Sequence, residues 1–119
     1  MAKILVNATH GKDDAERATL AFVVGNIAAS ADQEAVVLLT IDGVWLGTKG
    51  YTEGIHKEGF QPLREVMAGF ISNGGQVWVC GTCAKPRGIT ESDLVEGAKI
   101  VSAANVVEYM AGGASTLSF

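Results

Sequence analysis

The sequence is poor in several features that mark special classes of protein, and each shortage excludes one class. Two cysteines in 119 residues are too few for the disulfide framework of a small secreted protein. Charged residues make up only 18 % and hydrophobic residues 48 %, a balance that disordered chains do not have. The nine Lys and Arg residues form no run and the net charge is −4, so we expect no nucleic-acid partner.

Long apolar segments are also missing. The sequence has no stretch of the roughly 18 apolar residues that cross a membrane. The apolar part of residues 1–14, MAKILVNATHGKDD, is too short for a signal peptide. We therefore expect no membrane partner, and a cytoplasmic protein whose thiols are kept reduced.

The sequence does contain short apolar segments separated by glycines and polar turns. Continuous runs of Val, Ile and Leu indicate strands covered on both faces, and apolar residues at helical spacing indicate helices between them. Strands are predicted at 2–8, 34–41, 76–80, 98–101 and 115–119, and helices at 13–31, at 62–72 and from Ser102 to Gly112. This alternation predicts one α/β domain over residues 1–119, with parallel strands and right-handed crossovers.

The helix predictions extend to caps and faces. Asp13 followed by Glu16 resembles a capping box at the start of the first helix. The first helix is predicted to bury an apolar face made of Leu20, Val23, Val24, Ile27, Ala28 and Ala31. The last helix is predicted to bury a face made of Val106, Val107 and Met110. Thr90 with Asp93 indicates a short capped turn.

Residues 42–61 have five glycines and no clear period. A segment this long without secondary structure is unusual in a compact domain, which favours a functional, mobile or partner-covered segment. Its aromatic residues Trp45, Tyr51 and Phe60 could stack on a ligand or cover a neighbouring subunit.

Candidate chemistry lies where the first three strands end. The carboxyl ends of parallel strands share one edge of the sheet, and ligands bind beyond that edge in open α/β folds. We therefore expect the three following segments to meet there. Their candidate site residues are His10, Gly11 and Lys12 after the first strand, Asp42, Gly43 and Trp45 after the second, and Cys80, Gly81, Cys83, Lys85 and Arg87 after the third.

Cys80 is the strongest candidate nucleophile because it ends a buried strand at this edge. A thiol reacts as its thiolate, which nearby cations stabilise. Lys85 and Arg87 follow closely, and His10 and Lys12 could approach from the first loop. The alternative is that Cys80 and Cys83 simply pack as small apolar residues.

Two further interpretations of the Cys-x-x-Cys pair are weaker. A thioredoxin-type pair needs a helix that runs on after the cysteines, and Pro86 and Gly88 oppose one. Zinc needs four ligands, and only His10 and His56 could join the cysteines. We predict neither a metal nor a cofactor.

From VCGTCAKPRGIT to ESDLVEGAKIV the sequence resembles the DsrE/DsrF-like family, whose fold is called YchN-like. The resemblance extends over most of the chain. It includes the THG loop, the DDAERA helix start, DGV after the second strand and the terminal TLSF.

That resemblance implies a three-layer α/β/α sandwich with a five-stranded, mainly parallel sheet. It also implies a homo-oligomer, a trimer or a hexamer, with site loops near subunit contacts. Sulfur-relay members carry a persulfide on a cysteine and pass it between a donor and an acceptor protein. The spacing to Arg87-Gly88 gives Cys80 the position of that cysteine, whereas Cys83 is not required for the role.

The first functional hypothesis is therefore a sulfur carrier of the sulfurtransferase type that uses Cys80. The alternatives are a non-catalytic oligomeric module that binds a small ligand or partner through residues 42–61, and a thiol-disulfide switch between Cys80 and Cys83.

Overall fold

Apolar residues on both faces of the strands place the sheet in the middle of the molecule. The structure is a computed structural model and describes residues 1–119. The strands are β1 (Lys3–Ala8), β2 (Glu34–Leu39), β3 (Gln76–Cys80), β4 (Ala98–Val101) and β5 (Ser115–Ser118). The α-helices are α1 (Ala15–Ser30), α2 (Leu63–Ser72), α3 (Gly81–Ala84) and α4 (Ala103–Ala111), and short 3-10 helices cover Ile41–Gly47, Lys85–Arg87 and Glu91–Asp93.

The five strands form one sheet in the order β4-β3-β2-β1-β5, and all four pairings are parallel. Helices α1 and α2 cover one face of the sheet and α4 covers the other. The predicted three-layer α/β/α sandwich is thus confirmed. None of the helices combines the length and the apolar character needed to cross a membrane.

Helix α1 buries a face that only partly coincides with the predicted one. The fully buried residues are Ala18, Thr19, Ala21, Phe22, Gly25 and Ala29. Of the predicted face, Val23, Val24 and Ala28 pack partly buried against the core, whereas the side chain of Ile27 is 65 % exposed. A Cβ atom on Gly25 would lie 2.8 Å from the Val37 side chain, so α1 approaches the sheet more closely than a larger residue allows. The prediction was wrong for Ile27 because α1 is apolar on more than one face, and close packing turns the mostly small residues toward the sheet.

Helix α4 also turns a different face to the sheet. Val106 and Tyr109 pack against the second core, with the rings of Tyr109 and Trp78 5.2 Å apart. Val107 and Met110 were predicted to lie inside but are exposed. In a helix of nine residues the apolar positions are too few to define one stripe.

The cap of α1 is Asp14, one residue after the predicted Asp13. The Asp14 carboxylate accepts a hydrogen bond from the Arg17 backbone N–H at 3.0 Å. Asp13 instead accepts from the Gly11 N–H and contacts His10, which ties it to the preceding loop. That loop therefore delays the start of the helix by one residue.

Strand β2 ends at Leu39, two residues earlier than predicted, because the chain turns away at Ile41 after a last bond from the Thr40 N–H to the Ala8 carbonyl. The Thr40 hydroxyl donates to the Asn7 side chain, and Ile41 has a φ of +55°. The following segment is packed against the domain, with Val44 and Leu46 fully buried and Ile55 5 % exposed. Its lack of a period reflects turns and a 3-10 helix.

Candidate functional site

The loops that follow β1 and β2 meet at the carboxyl edge of the sheet, backbone against backbone. A Cβ atom on Gly43 would overlap the carbonyl of Ala8, and one on Gly11 would lie 3.0 Å from the carbonyl oxygen of Asp42. Only glycine permits this approach. The two sequence-predicted glycines thus let the loops interlock.

The loop after β3 joins the loop after β2 through an ion pair. The Arg87 Nη2 atom lies 3.0 Å from the Asp42 Oδ1 atom, and Nη1 donates to the Cys83 carbonyl at 3.0 Å. Gly88, in the left-handed region at φ +71°, ends the 3-10 turn that carries Arg87. Arg87 therefore holds the cysteine turn against the Asp42 loop.

The two cysteines lie on one helical turn. Cys80 is the last residue of β3 and the N-cap of α3, and Cys83 lies within α3. Both are free thiols and both are partly buried. The 3-10 helix that follows ends at Gly88, so the longer helix of thioredoxin-type sites is absent, as Pro86 and Gly88 predict.

Cys83 differs from an ordinary thiol. Burial raises the pKa of Cys83 above its usual value of 9.0. The backbone N–H of Ile41 faces its sulfur and lowers the pKa, and the Arg87 charge also lowers it. The neighbouring Cys80 raises the pKa of Cys83 further, both through a hydrogen bond to the Cys83 thiol and through the negative charge of a Cys80 thiolate. Cys83 therefore keeps its proton at neutral pH.

Ile41 has a strained backbone at this point. A β-branched residue in the left-handed region costs on the order of 1–3 kcal/mol. The Ile41 side chain is 53 % exposed, so its packing does not explain the conformation. The turn instead directs the Ile41 amide toward the Cys83 sulfur. Sequence analysis missed Ile41, because no local signal marks an isoleucine with positive φ.

His10 and Lys12 belong to a neighbouring network. The His10 ring contacts Asp13 at 2.6 Å, and the Lys12 Nζ atom lies 4.6 Å from the centre of the Tyr51 ring. The Tyr51 hydroxyl also accepts from the Lys12 N–H at 2.8 Å. The contacts made by these two side chains join them to Asp13 and Tyr51 and not to the cysteines.

Trp45 stacks on Tyr51, with ring centres 6.1 Å apart. It also lines a shallow polar cleft with Arg87 and Lys49. Tyr51, which the sequence suggested as a residue that stacks on a ligand or covers a neighbouring subunit, contacts both loops at this end of the site.

A second crevice lies between the carboxyl ends of β3 and β4. Helix α3 follows β3 on the face of the sheet that α1 and α2 cover, whereas α4 follows β4 on the opposite face. The connections after these two neighbouring strands therefore run to opposite faces and leave a crevice between them. Gly81, Thr82 and Lys85 line this crevice with the start of α4. Lys85 thus lies on the side of the turn that faces α4.

Metal ligation has little support in these positions. No group of three or more His, Cys, Asp or Glu side chains is arranged to hold a metal ion. His56 contacts the Phe60 carbonyl at 2.7 Å, within its own loop.

Comparisons with known proteins agree on one family and one fold. The model of the DsrE/DsrF-like family matches residues 2–119. An uncharacterized protein of Methanocaldococcus jannaschii is 29 % identical over 106 residues, which cover 89 % of this chain but only 38 % of the relative's own length. An uncharacterized protein of Methanopyrus kandleri is 29 % identical over 107 residues, covering 90 % of this chain and 83 % of the relative.

Two solved structures share the fold over the full length of both chains. The ychN protein of E. coli superposes with a TM-score of 0.81 at 20 % identity. A protein of unknown function from Methanobacterium thermoautotrophicum superposes with a TM-score of 0.77 at 17 % identity. At these identities the likeness establishes the architecture alone.

Proposed function

This chain belongs to the DsrE/DsrF-like family, and on that premise we propose that it is a sulfur carrier that holds sulfane sulfur as a persulfide on Cys80. The observation that carries the proposal is the unequal pair of thiols at the end of β3. Cys80 ends the strand and is partly exposed, while the neighbouring Cys83 keeps its proton. Of the two thiols, Cys80 is therefore the one that reacts.

The sulfur enters by a displacement without net oxidation. The Cys80 thiolate attacks the outer sulfur of a donor persulfide, R–S–SH. A new S–S bond forms on Cys80, the S–S bond of the donor breaks, and the donor leaves as the thiolate R–S⁻. The proton remains on the transferred sulfur.

Neighbouring groups support this step. Cys83 lies three residues from Cys80 on the same turn, where its thiol can donate a hydrogen bond to the attacking sulfur. Arg87 brings a positive charge to the turn, and Asp42 and the Cys83 carbonyl hold its guanidinium in place. A fixed charge of this kind stabilises an anion without reorganisation.

A sulfur carrier needs partner proteins and a reducing compartment. A sulfur donor and a sulfur acceptor protein would dock at the carboxyl edge of the sheet. A homo-oligomer, a trimer or a hexamer, would bring site loops to subunit contacts. The cytoplasm suits the proposal because its reductants keep both cysteines free.

Two single-thiol variants test the carrier role. Cys83→Ser retains only Cys80, and Cys80→Ser retains only Cys83. After brief treatment with glutathione persulfide, intact-mass analysis should show one added sulfur atom on Cys83→Ser. The adduct on Cys80→Ser should form more slowly at pH 7, because burial still raises the pKa of Cys83 in that variant and leaves less thiolate.

The exposed residue Thr82, which lies between the cysteines, offers a matched control. Thr82→Ala combined with Cys83→Ser should take up one sulfur atom at the same rate as Cys83→Ser alone. Equal labelling of the two single-thiol variants, or faster labelling of Cys80→Ser, would refute the assignment.

A further inference from the structure

A carrier that only receives and passes on sulfur has no use for a second thiol in contact with the first. Cys83 is nevertheless held beside Cys80 by the α3 turn, and its backbone carbonyl is bound by Arg87. The backbone N–H of Ile41, at the cost of a strained φ, also faces the Cys83 sulfur. Three elements of the site are thus arranged around Cys83.

The spacing of the pair is close to that of a disulfide. Cys80 is the N-cap of α3 in an extended conformation (φ −63°, ψ 117°), and Cys83 lies three residues further along the same turn. Residues at this spacing on a helix have Cβ atoms roughly 5–6 Å apart, whereas a disulfide needs roughly 3.5–4.5 Å. A shift of about 1–2 Å therefore closes the bond, and the non-helical backbone of the cap residue can provide it.

We propose that Cys83 is a resolving cysteine, which attacks the persulfide on Cys80 and releases the carried sulfur as sulfide. This inference rests on the proposed carrier role of Cys80. It makes the protein a persulfide reductase whose substrate is a low-molecular-weight or protein persulfide.

The two cysteines supply the atoms and the electrons that the release of the sulfur requires. The Cys83 sulfur attacks the inner sulfur of Cys80–S–SH, and a Cys80–Cys83 disulfide forms. The bond between the inner and outer sulfurs breaks, and its electron pair leaves with the outer sulfur. The proton of the Cys83 thiol accompanies the departing sulfur, so the products are the disulfide and H₂S. The two thiols supply the two electrons that reduce the outer sulfur.

The groups around Cys83 assist this attack. The Ile41 N–H and the Arg87 charge both favour the thiolate of Cys83.

A second reactant is needed for turnover. The disulfide returns to two thiols by exchange with a dithiol reductant, which leaves as its own disulfide. The reaction class that must act after this protein is therefore thiol-disulfide exchange with a small dithiol or a dithiol protein.

A single-turnover experiment tests the inference. The parent protein, Cys83→Ser and Thr82→Ala are reduced, freed of reductant, and treated anaerobically with glutathione persulfide. Excess donor is then removed, and released sulfide and intact mass are measured. The parent and Thr82→Ala should release one sulfide per chain and lose the mass of two hydrogens. Cys83→Ser should keep the added sulfur and release sulfide at least about ten-fold more slowly.

Other outcomes separate the two proposals. If the parent retains the added sulfur as Cys83→Ser does, with no disulfide, then Cys83 is not a resolving residue and the carrier role stands. A sulfur adduct found on Cys83 also overturns the inference. If Cys83→Ser takes up no sulfur, the carrier role fails as well. A parent sample without donor checks for adventitious oxidation, and Cys83→Ala replaces Cys83→Ser should circular dichroism show that the latter is unfolded.

Discussion

At the scale of single residues, the site depends on a thiol whose ionisation its neighbours control. Burial raises the pKa of Cys83, and Cys80 raises it further, whereas the Ile41 amide and Arg87 lower it. A raised pKa means that Cys83 ionises only at higher pH than an ordinary thiol. The difference between the two cysteines therefore arises from contacts and not from their identity.

The pH dependence of alkylation measures this effect. In the parent protein, the rate at which iodoacetamide modifies Cys83 should still rise with pH above 9.0, the usual pKa. In Cys80→Ser the profile should move to lower pH, because the raising influence of Cys80 is gone. In Arg87→Gln it should move to higher pH, because a lowering charge is lost. Profiles from peptide mass spectrometry that coincide in all three proteins would contradict this account.

At the scale of elements, the distance between α1 and the sheet depends on Gly25. A Cβ atom there would lie 2.8 Å from a methyl group of Val37 and 3.2 Å from the Phe70 ring. Both neighbours are fully buried, so neither can move away cheaply. Overpacking of this kind outweighs the helix propensity that alanine adds.

Replacement of Gly25 should therefore destabilise the protein. Gly25→Ala should lower the free energy of unfolding by roughly 1–3 kcal/mol, although alanine is the better helix former. The matched control is Gly69→Ala in α2, where the new Cβ would meet only the flexible Asn26 side chain at 3.3 Å. That variant should be neutral or slightly stabilising. Urea titrations measure both, and equal effects at the two positions would be inconsistent with the packing argument.

At the scale of the whole molecule, three carboxylates link stability to pH. His10 and the Gly11 N–H lower the pKa of Asp13, and the Arg17 N–H and side chain lower that of Asp14. The Thr90 N–H and hydroxyl lower the pKa of Asp93. All three groups are therefore more acidic in the folded protein than in the unfolded chain.

Acid should consequently destabilise the fold. A group with a lowered pKa contributes its full stabilisation above its unfolded pKa, here near 3.8, and loses it as the pH falls through the folded value. Denaturant midpoints should be flat from pH 7 to about pH 5 and fall below pH 4. Asp14→Asn should flatten that fall, whereas Asp32→Asn, which removes an exposed carboxylate outside these networks, should not. A midpoint independent of pH between 5 and 3 would contradict the prediction.

Local sequence patterns are sufficient to predict the main helices and strands and the edge of the sheet at which the cysteines lie. Runs of Val, Ile and Leu mark buried strands, and the α2 residues Leu63, Val66, Met67 and Phe70, which recur at helical spacing, are all buried. The same patterns fail for α1, whose apolar residues surround the helix and leave several orientations open. They also place the α1 cap at Asp13, because the bond between Asp13 and Gly11 belongs to a loop and not to the helix.

The sequence by itself determined the five strands, the alternation of α and β elements, and a Cys-x-x-Cys pair at a strand end. These follow from periodicity and chain connectivity, which are local properties. Only the tertiary structure decided that Ile41 and Arg87 face Cys83, and that Asp42 anchors Arg87. The Asp42–Arg87 contact joins residues 45 positions apart, and Ile41 is similarly distant in sequence from Cys83. Burial and charge shift a pKa only once the fold has brought such residues together.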